Sequence, residues 1–221
     1  MLHGLFVTGT DTNVGKTVTC AALLCRYRAH ARLRYWKPVQ TGIEQDDDTA
    51  EVRRLAACGD DEILSEGVRL RGPVSPHLAA RWSGQRITID GLTTLAAPSS
   101  AAERWIVEGA GGALVPLNDT ELMIDLMRAL ALPVVLVARS ALGTINHTLL
   151  SLEALRARNL PVAGVVMAGE RNAENRDAIE HYGCVPVLGE MPLWNPLDPQ
   201  RLASWAAAEL DPEGKLLGLL R

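Results

Sequence analysis

The sequence predicts an α/β protein built on a mostly parallel sheet, and three observations carry that expectation. Short runs rich in Val, Ile and Leu recur along the chain, each followed by an amphipathic stretch with helical spacing. The runs are apolar throughout rather than alternating, as strands covered on both faces are. Polar or Gly-rich residues gather where the runs stop, which is where an open parallel sheet binds its ligands.

The elements follow in order. Residues 5–8 read as a first buried strand, and residues 16–30 as the helix after it. Residues 33–36 form a more basic strand that leads into Lys37-Pro38, where the proline holds the lysine in an extended conformation. A helix is expected over 48–58. Residues 59–100 are richer in Gly, Pro and Ser and read as an elaboration with weaker helices. Strands at 105–108, 134–138, 162–167 and 185–188 then alternate with helices at 121–130, 144–157 and 173–182. Such alternation predicts right-handed crossovers, and no linker or repeat divides the chain, so residues 1–221 are expected to form one domain.

Composition excludes several classes of function. With 221 residues, 48% hydrophobic and 22% charged, the chain is ordinary globular material. Its 22 basic and 26 acidic side chains leave a net charge of −4 with no basic cluster, so neither nucleic acid nor a membrane surface is an expected partner. The longest apolar run, 129–138, is about half of what a bilayer requires. Met1-Leu2-His3-Gly4 has no basic signal-like region, and the expected location is the cytoplasm. Cys20 and Cys25 fall roughly 140° apart on a helix, and Cys58 and Cys184 stand alone, so no zinc spacing exists.

The loop from Gly9 to Thr17 follows a strand and opens a helix, the context of a phosphate-cradling loop. The backbone of Asn13, Val14 and Gly15 is expected on phosphate oxygens, Lys16 on the β/γ-phosphates and Thr17 on Mg²⁺. The spacing is one residue longer than the common pattern. Carboxylates must complete a magnesium site. Glu108, at the end of a buried strand, is one candidate; Asp46, Asp47 and Asp48 are the others, with Asp48 favoured because it starts a helical stretch. Lys37 is a second lysine at a strand end, and two lysines at one phosphate site suggest phosphoryl transfer to an anionic acceptor.

Taken together, these residues resemble the ATP-dependent dethiobiotin synthetases. The segments 9–17, 37–42, 75–77, 108–112, 142–147 and 189–192 occur in that family's order and spacing, and the longer phosphate loop is one of its features. The resemblance implies a P-loop NTPase-type three-layer α/β/α sandwich working as a homodimer. It implies carboxylation of 7,8-diaminononanoate with CO₂ or bicarbonate, then ATP- and Mg²⁺-dependent ring closure. Lys37 and Lys16 would be catalytic and Thr17, Asp48 and Glu108 the metal ligands. The nucleotide would also meet Gly109, Ala110, Gly111, Pro192, Leu193 and Trp194. Substrate would meet Thr12, Lys37 and Thr41, and its carboxylate Leu142, Gly143, Thr144 and Asn146 of the partner subunit. Where many members carry Asn-Asp to read adenine, this chain has Ala168-Gly169, so use of another nucleotide such as CTP is expected to be possible. Asn13 replaces an acidic residue of some members. The alternative is a partitioning-type ATPase, a kinase for another small acid or a regulator; a partitioning ATPase would carry a further lysine where Asp11 stands.

Overall fold

The computed structural model describes residues 2–96, 100 and 102–220, so Met1 and residues 97–99 of the expected elaboration lie outside the described residues. Seven strands form one sheet: β1 (Gly4–Gly9), β2 (Arg32–Trp36), β4 (Ile63–Leu64), β6 (Glu103–Gly112), β7 (Val134–Arg139), β8 (Val162–Ala168) and β9 (Val187–Met191). Their order is β4-β2-β6-β1-β7-β8-β9, and every pairing is parallel. The chain leaves β1 toward β2 on one side and later continues from β6 to β7 on the other. The direction of winding therefore reverses beside β1, which opens a crevice at the carboxyl ends of β1, β2 and β6. A second, two-stranded sheet joins β3 (Val39–Gln40) to β5 (Val68–Arg69) beyond that crevice.

Side-chain parity along the strands separates two helical layers. Leu5 and Val7 of β1, with Val135 and Val137 of β7, pack in one core with α1 (Lys16–Tyr27), α2 (Asp48–Ala56) and α8 (Pro199–Glu209). Phe6 and Val134 face the opposite way, toward α3 (Pro76–Trp82), α4 (Ile89–Leu95) and α5 (Met123–Leu130). On that same face Leu136 and Ala138 meet α6 (Thr144–Arg156) and α7 (Ala173–Gly183). The result is the expected three-layer sandwich. Its last strand starts at Val187, two residues later than expected, because Pro186 has no amide to donate and instead accepts from Val165 N at 2.9 Å. Helix α8 was not expected from the sequence; Asp198 caps it by accepting from Arg201 N at 2.8 Å.

Gly4 is where β1 and β6 come too close for a side chain. Its φ is +139°, and a Cβ there would lie 2.0 Å from the Trp105 carbonyl oxygen. Gly4→Ala is therefore expected to cost ~3 kcal/mol or more, read as a lower urea midpoint with an unchanged slope. A loss below about 1 kcal/mol would show that the strand pair slides apart without penalty.

Candidate active site

The phosphate loop is built by conformation rather than by side chains. Gly15 precedes α1 with φ 99° and ψ 21°, and no side chain caps the helix, so its first amides are left for a ligand. Asn13 also lies in the left-handed region, at φ 56°. A Cβ on Gly9 would come within 2.6 Å of Val14 Cγ2 and 2.8 Å of the Asp11 carbonyl, so the strand-end position requires glycine. Val14 is buried and anchors the loop in the core. Lys16 Nζ arches back to donate to the Asp11 carbonyl at 3.0 Å. From outside, Arg139 at the end of β7 donates to Asp11 Oδ2 and to the Thr12 carbonyl, both at 3.1 Å.

Beside this loop five polar side chains converge, from β2 and the residue after it, α1, α2 and β6. Lys37 follows β2 and is 3% exposed; its Nζ lies 2.6 Å from Asp48 Oδ2, 2.7 Å from Glu108 Oε1 and 3.1 Å from the Gly109 carbonyl. Thr17 Oγ1, in the first turn of α1, is 2.9 Å from Asp48 Oδ1 and 3.0 Å from Glu108 Oε1. Tyr35 donates to the other oxygen of Glu108, Oε2, at 2.8 Å. Burial alone would lower the Lys37 pKa, but Glu108 and Asp48 outweigh it and hold the ammonium above its usual value. For Asp48, burial would raise the pKa, and Lys37 and Thr17 carry it below the ordinary carboxylate value. Lys16 is the contrary case: burial, reinforced by the charge on Lys37, lowers its pKa.

The acidic triplet is resolved by these contacts. Asp48 turns into the cluster, whereas Asp47 caps α2 by accepting from Ala50 N at 3.0 Å. Asp46 offers its carbonyl to Gln40 Nε2 at 2.5 Å, and Gln40 Oε1 accepts from Asp48 N at 3.2 Å. Gln40 thus ties the strand after Lys37 to the turn that presents Asp48. Among the described residues no group of three or more His, Cys, Asp or Glu side chains is arranged to hold a metal. The protein's oxygens at this point are one hydroxyl and two carboxylates.

Thr12, Asn13, Gly15, Lys16, Thr17, Lys37, Thr41, Asp48, Glu108, Ala110 and Gly111 all line one cleft of about 660 Å³. Ser75 and Pro76 line it as well, with Ser75 Oγ 3.0 Å from His77 Nδ1. Pro192 and Trp194 line a different hollow along α8, and the side chain of Leu193 is 78% exposed. Met191, just before them, approaches Gly15: a Cβ on that glycine would lie 3.1 Å from Met191 Cε and 3.4 Å from Ala168 Cβ. Leu142, Gly143, Thr144 and Asn146 lie outside the chain's own cleft. Leu142 is fully exposed, and Gly143 opens α6 at φ 91° without a side-chain cap. The Thr144 hydroxyl is buried and has no partner among the described residues. Tyr35 and Gln40 are the polar residues whose part sequence reasoning missed; each sits in a strand, where composition marks core rather than chemistry.

Known proteins match this arrangement at two levels. A family model described as an AAA domain covers residues 3–201. Among solved structures, a ParA family ATPase from Chlorobium tepidum superposes with a TM-score of 0.56 at 10% identity, covering 99% of this chain and 97% of that one. The septum site-determining protein MinD from Pyrococcus horikoshii, complexed with Mg-ADP, gives a TM-score of 0.54 at 13% identity, covering 100% and 95%. These likenesses concern the fold. Sequence is more specific. The ATP-dependent dethiobiotin synthetase BioD of Paramagnetospirillum magneticum is 50% identical over 190 residues, 86% of this chain and 88% of the relative. That of Bradyrhizobium diazoefficiens is 48% identical over 198 residues, 90% of each. The bifunctional biotin biosynthesis protein BioCD of Bordetella avium matches at 49% over 205 residues, which is 92% of this chain and 42% of that larger protein. Identity of this order over nearly the whole length, in a chain whose strand-end residues meet in one cleft, places the protein in the ATP-dependent dethiobiotin synthetase family.

Proposed function

We propose that the cleft forms dethiobiotin from 7,8-diaminononanoate, CO₂ and a nucleoside triphosphate. The observation that carries the reading is the buried Lys37 ammonium, held between Asp48 and Glu108 next to the phosphate loop. One amine of the diamine takes up CO₂, losing a proton to give a carbamate. A carbamate oxygen attacks the γ-phosphorus of ATP and ADP departs, leaving a mixed carbamic-phosphoric anhydride. The second amine then attacks the carbamoyl carbon and gives up a proton, phosphate leaves with the C–O bond electrons, and a five-membered cyclic urea remains. The attacking and transferred groups are both anionic, so the step needs cations on each side of the line of transfer.

Lys16 and Lys37 meet that need from two directions. Lys16 reaches over the loop that receives the nucleotide phosphates, whereas Lys37 is held by Asp48 and Glu108 in the same cleft as Thr12 and Thr41, the proposed contacts of the carbamate end. Thr17, Asp48 and Glu108 would hold Mg²⁺, a hard cation whose preference for few protein oxygens, with waters and phosphate making up the rest, suits one hydroxyl and two carboxylates. When bound it supplies charge neutralisation at the β- and γ-phosphates. The exposed Leu142 and the uncapped start of α6 fit a homodimer in which the partner subunit's loop receives the substrate carboxylate. Among the described residues no helix is long and apolar enough to cross a membrane.

The test is phosphate release and dethiobiotin formation with diamine, bicarbonate and Mg²⁺, with ATP and CTP run side by side. Product that depends on the diamine is expected. Nucleotide turnover indifferent to the diamine would move the protein to a kinase or regulatory ATPase. CTP turnover within about tenfold of ATP turnover is also expected, because Ala168 and Gly169 offer no side-chain hydrogen bond to a base edge. A side chain at Gly169 would be strained at φ +142° and would require Ser140 to turn away, since its Cβ would lie 2.2 Å from Ser140 Oγ. ATP favoured more than about a hundredfold would mean that another group reads the base.

A further inference from the structure

We infer that Tyr35 is a positioning residue for the metal site, fixing the Glu108 carboxylate so that Oε1 alone faces Thr17 and Lys37. The inference rests on the reading of Glu108 as a metal ligand. Tyr35 lies on β2, paired with Ile106 of β6, two residues before Glu108 on the neighbouring strand. Its ring packs in the core beneath α1 and α2, a space that a phenylalanine would fill as well. What phenylalanine would lack is the hydroxyl, which runs toward the strand ends and donates to Glu108 Oε2 at 2.8 Å.

Glu108 is 0% exposed and has two oxygens to satisfy. Oε1 receives Lys37 at 2.7 Å and Thr17 at 3.0 Å; Oε2 receives Tyr35. Without the phenol, Oε2 would be left in the core with no solvent to take its place, and the plane of the carboxylate would be set only from the Oε1 side, by Lys37 and Thr17. With it, the plane of the carboxylate is set from behind, and one oxygen is presented toward the phosphate loop. Groups that orient metal-ligating carboxylates in this way commonly matter to affinity about tenfold or more.

The protein contains its own matched control. Tyr27 makes the same kind of bond, donating at 2.5 Å to Asp211 Oδ2, a buried carboxylate on the C-terminal side of α8. The measurement is Mn²⁺ binding to the protein–ADP complex, followed by the electron paramagnetic resonance of free Mn²⁺, for the parent, Tyr35→Phe, Tyr27→Phe and Glu108→Gln. ADP binding in EDTA is measured alongside. Tyr35→Phe is expected to weaken Mn²⁺ by about tenfold while metal-free ADP affinity stays within about twofold. Tyr27→Phe is expected to leave both unchanged, and Glu108→Gln to weaken Mn²⁺ at least as much as Tyr35→Phe. Parent-like Mn²⁺ binding in Tyr35→Phe with weakened binding in Glu108→Gln would overturn the positioning role alone. Equal losses in the two tyrosine variants would overturn it too, since the effect would then be a general loss of rigidity. Parent-like binding in Glu108→Gln would remove Glu108 from the metal site, and this inference with it.

Discussion

Lys37→Ala is expected to lower turnover by about 10³-fold while nucleotide affinity falls less than about tenfold. The split follows from where the two lysines are anchored. Lys16 is held by the phosphate loop itself, so the nucleotide keeps its main cation in the variant. Lys37 is fixed by a different set of bonds. Arg69 Nη1 donates to its carbonyl at 2.8 Å, Val68 N donates to the Pro38 carbonyl at 2.9 Å, and the short β3–β5 sheet continues that clamp. On the proposed mechanism its ammonium would add little to ground-state binding of ATP and much to the moment when a carbamate oxygen meets the γ-phosphate. A cation used only there lowers kcat when removed, and leaves binding nearly alone.

The same substitution has a structural consequence that separates it from a simple catalytic knockout. Without Lys37 the carboxylates of Asp48 and Glu108 share Thr17 and have no ammonium between them. Removing one partner of a buried ion pair commonly costs about 3 kcal/mol, because the remaining charge stays desolvated. Here Mg²⁺ can take over part of that role. Lys37→Ala should thus unfold at a lower temperature than the parent in EDTA and recover part of the difference with Mg²⁺ and ADP. Thermal unfolding under the two conditions, together with single-turnover phosphate release, checks both halves. Turnover within about threefold of the parent would remove Lys37 from the chemistry.

How much of this was legible in the sequence depends on whether a residue's role is local. The sheet was, because strands buried on both faces show as apolar runs, and each long strand of the central sheet overlaps a run expected as a strand; β6, however, continues through Gly109–Gly112, where the glycines predict a loop. The loop 9–17 was, because glycine, lysine and threonine at fixed offsets before a helix describe a conformation as well as a chemistry. Asp48 could be favoured over its neighbours only from its place at a helix start; the choice becomes physical when Asp47 turns out to be the cap and Gln40 turns the chain at Asp46. Tyr35 could not be read at all. An aromatic residue in a buried strand is ordinary core, and nothing in its neighbours announces that β2 and β6 lie side by side in the register that brings its hydroxyl to Glu108. Roles that require two distant segments to be in register are the ones composition and spacing do not carry.

Lys16→Met is expected to act on stability and on binding with opposite signs. Lys16 is 7% exposed, and burial and the nearby Lys37 ammonium lower its pKa from the usual 10.5. A lysine in that condition is held protonated more firmly by the unfolded chain than by the native one. The free energy of unfolding therefore rises with pH between the lowered native value and 10.5, and this group's cost to the fold is greatest below the lowered value. Methionine keeps most of the volume and removes the charge, so the variant without nucleotide should be at least as stable as the parent near neutral pH. That advantage should shrink as the pH is raised, because the parent's lysine is then losing its proton. With nucleotide the order reverses. The phosphates supply negative charge in direct contact with Lys16, beyond the partial compensation it has from Glu108 and Asp48 in the free protein, and losing that contact should weaken Mg·ADP by about a hundredfold, or ~2.7 kcal/mol. A parent held at a hundred times its own dissociation constant gains about that same 2.7 kcal/mol from the ligand, and the variant gains well under 1 kcal/mol. Thermal unfolding from neutral pH up to 10.5, the upper end of the window in which Lys16 titrates, with and without Mg·ADP, should thus show the order of the two proteins reverse on ligand addition. A variant less stable than the parent at every pH in the absence of nucleotide would mean that the bond to the Asp11 carbonyl outweighs the cost of burying the charge. The phosphate loop would then be held together by the lysine rather than strained by it.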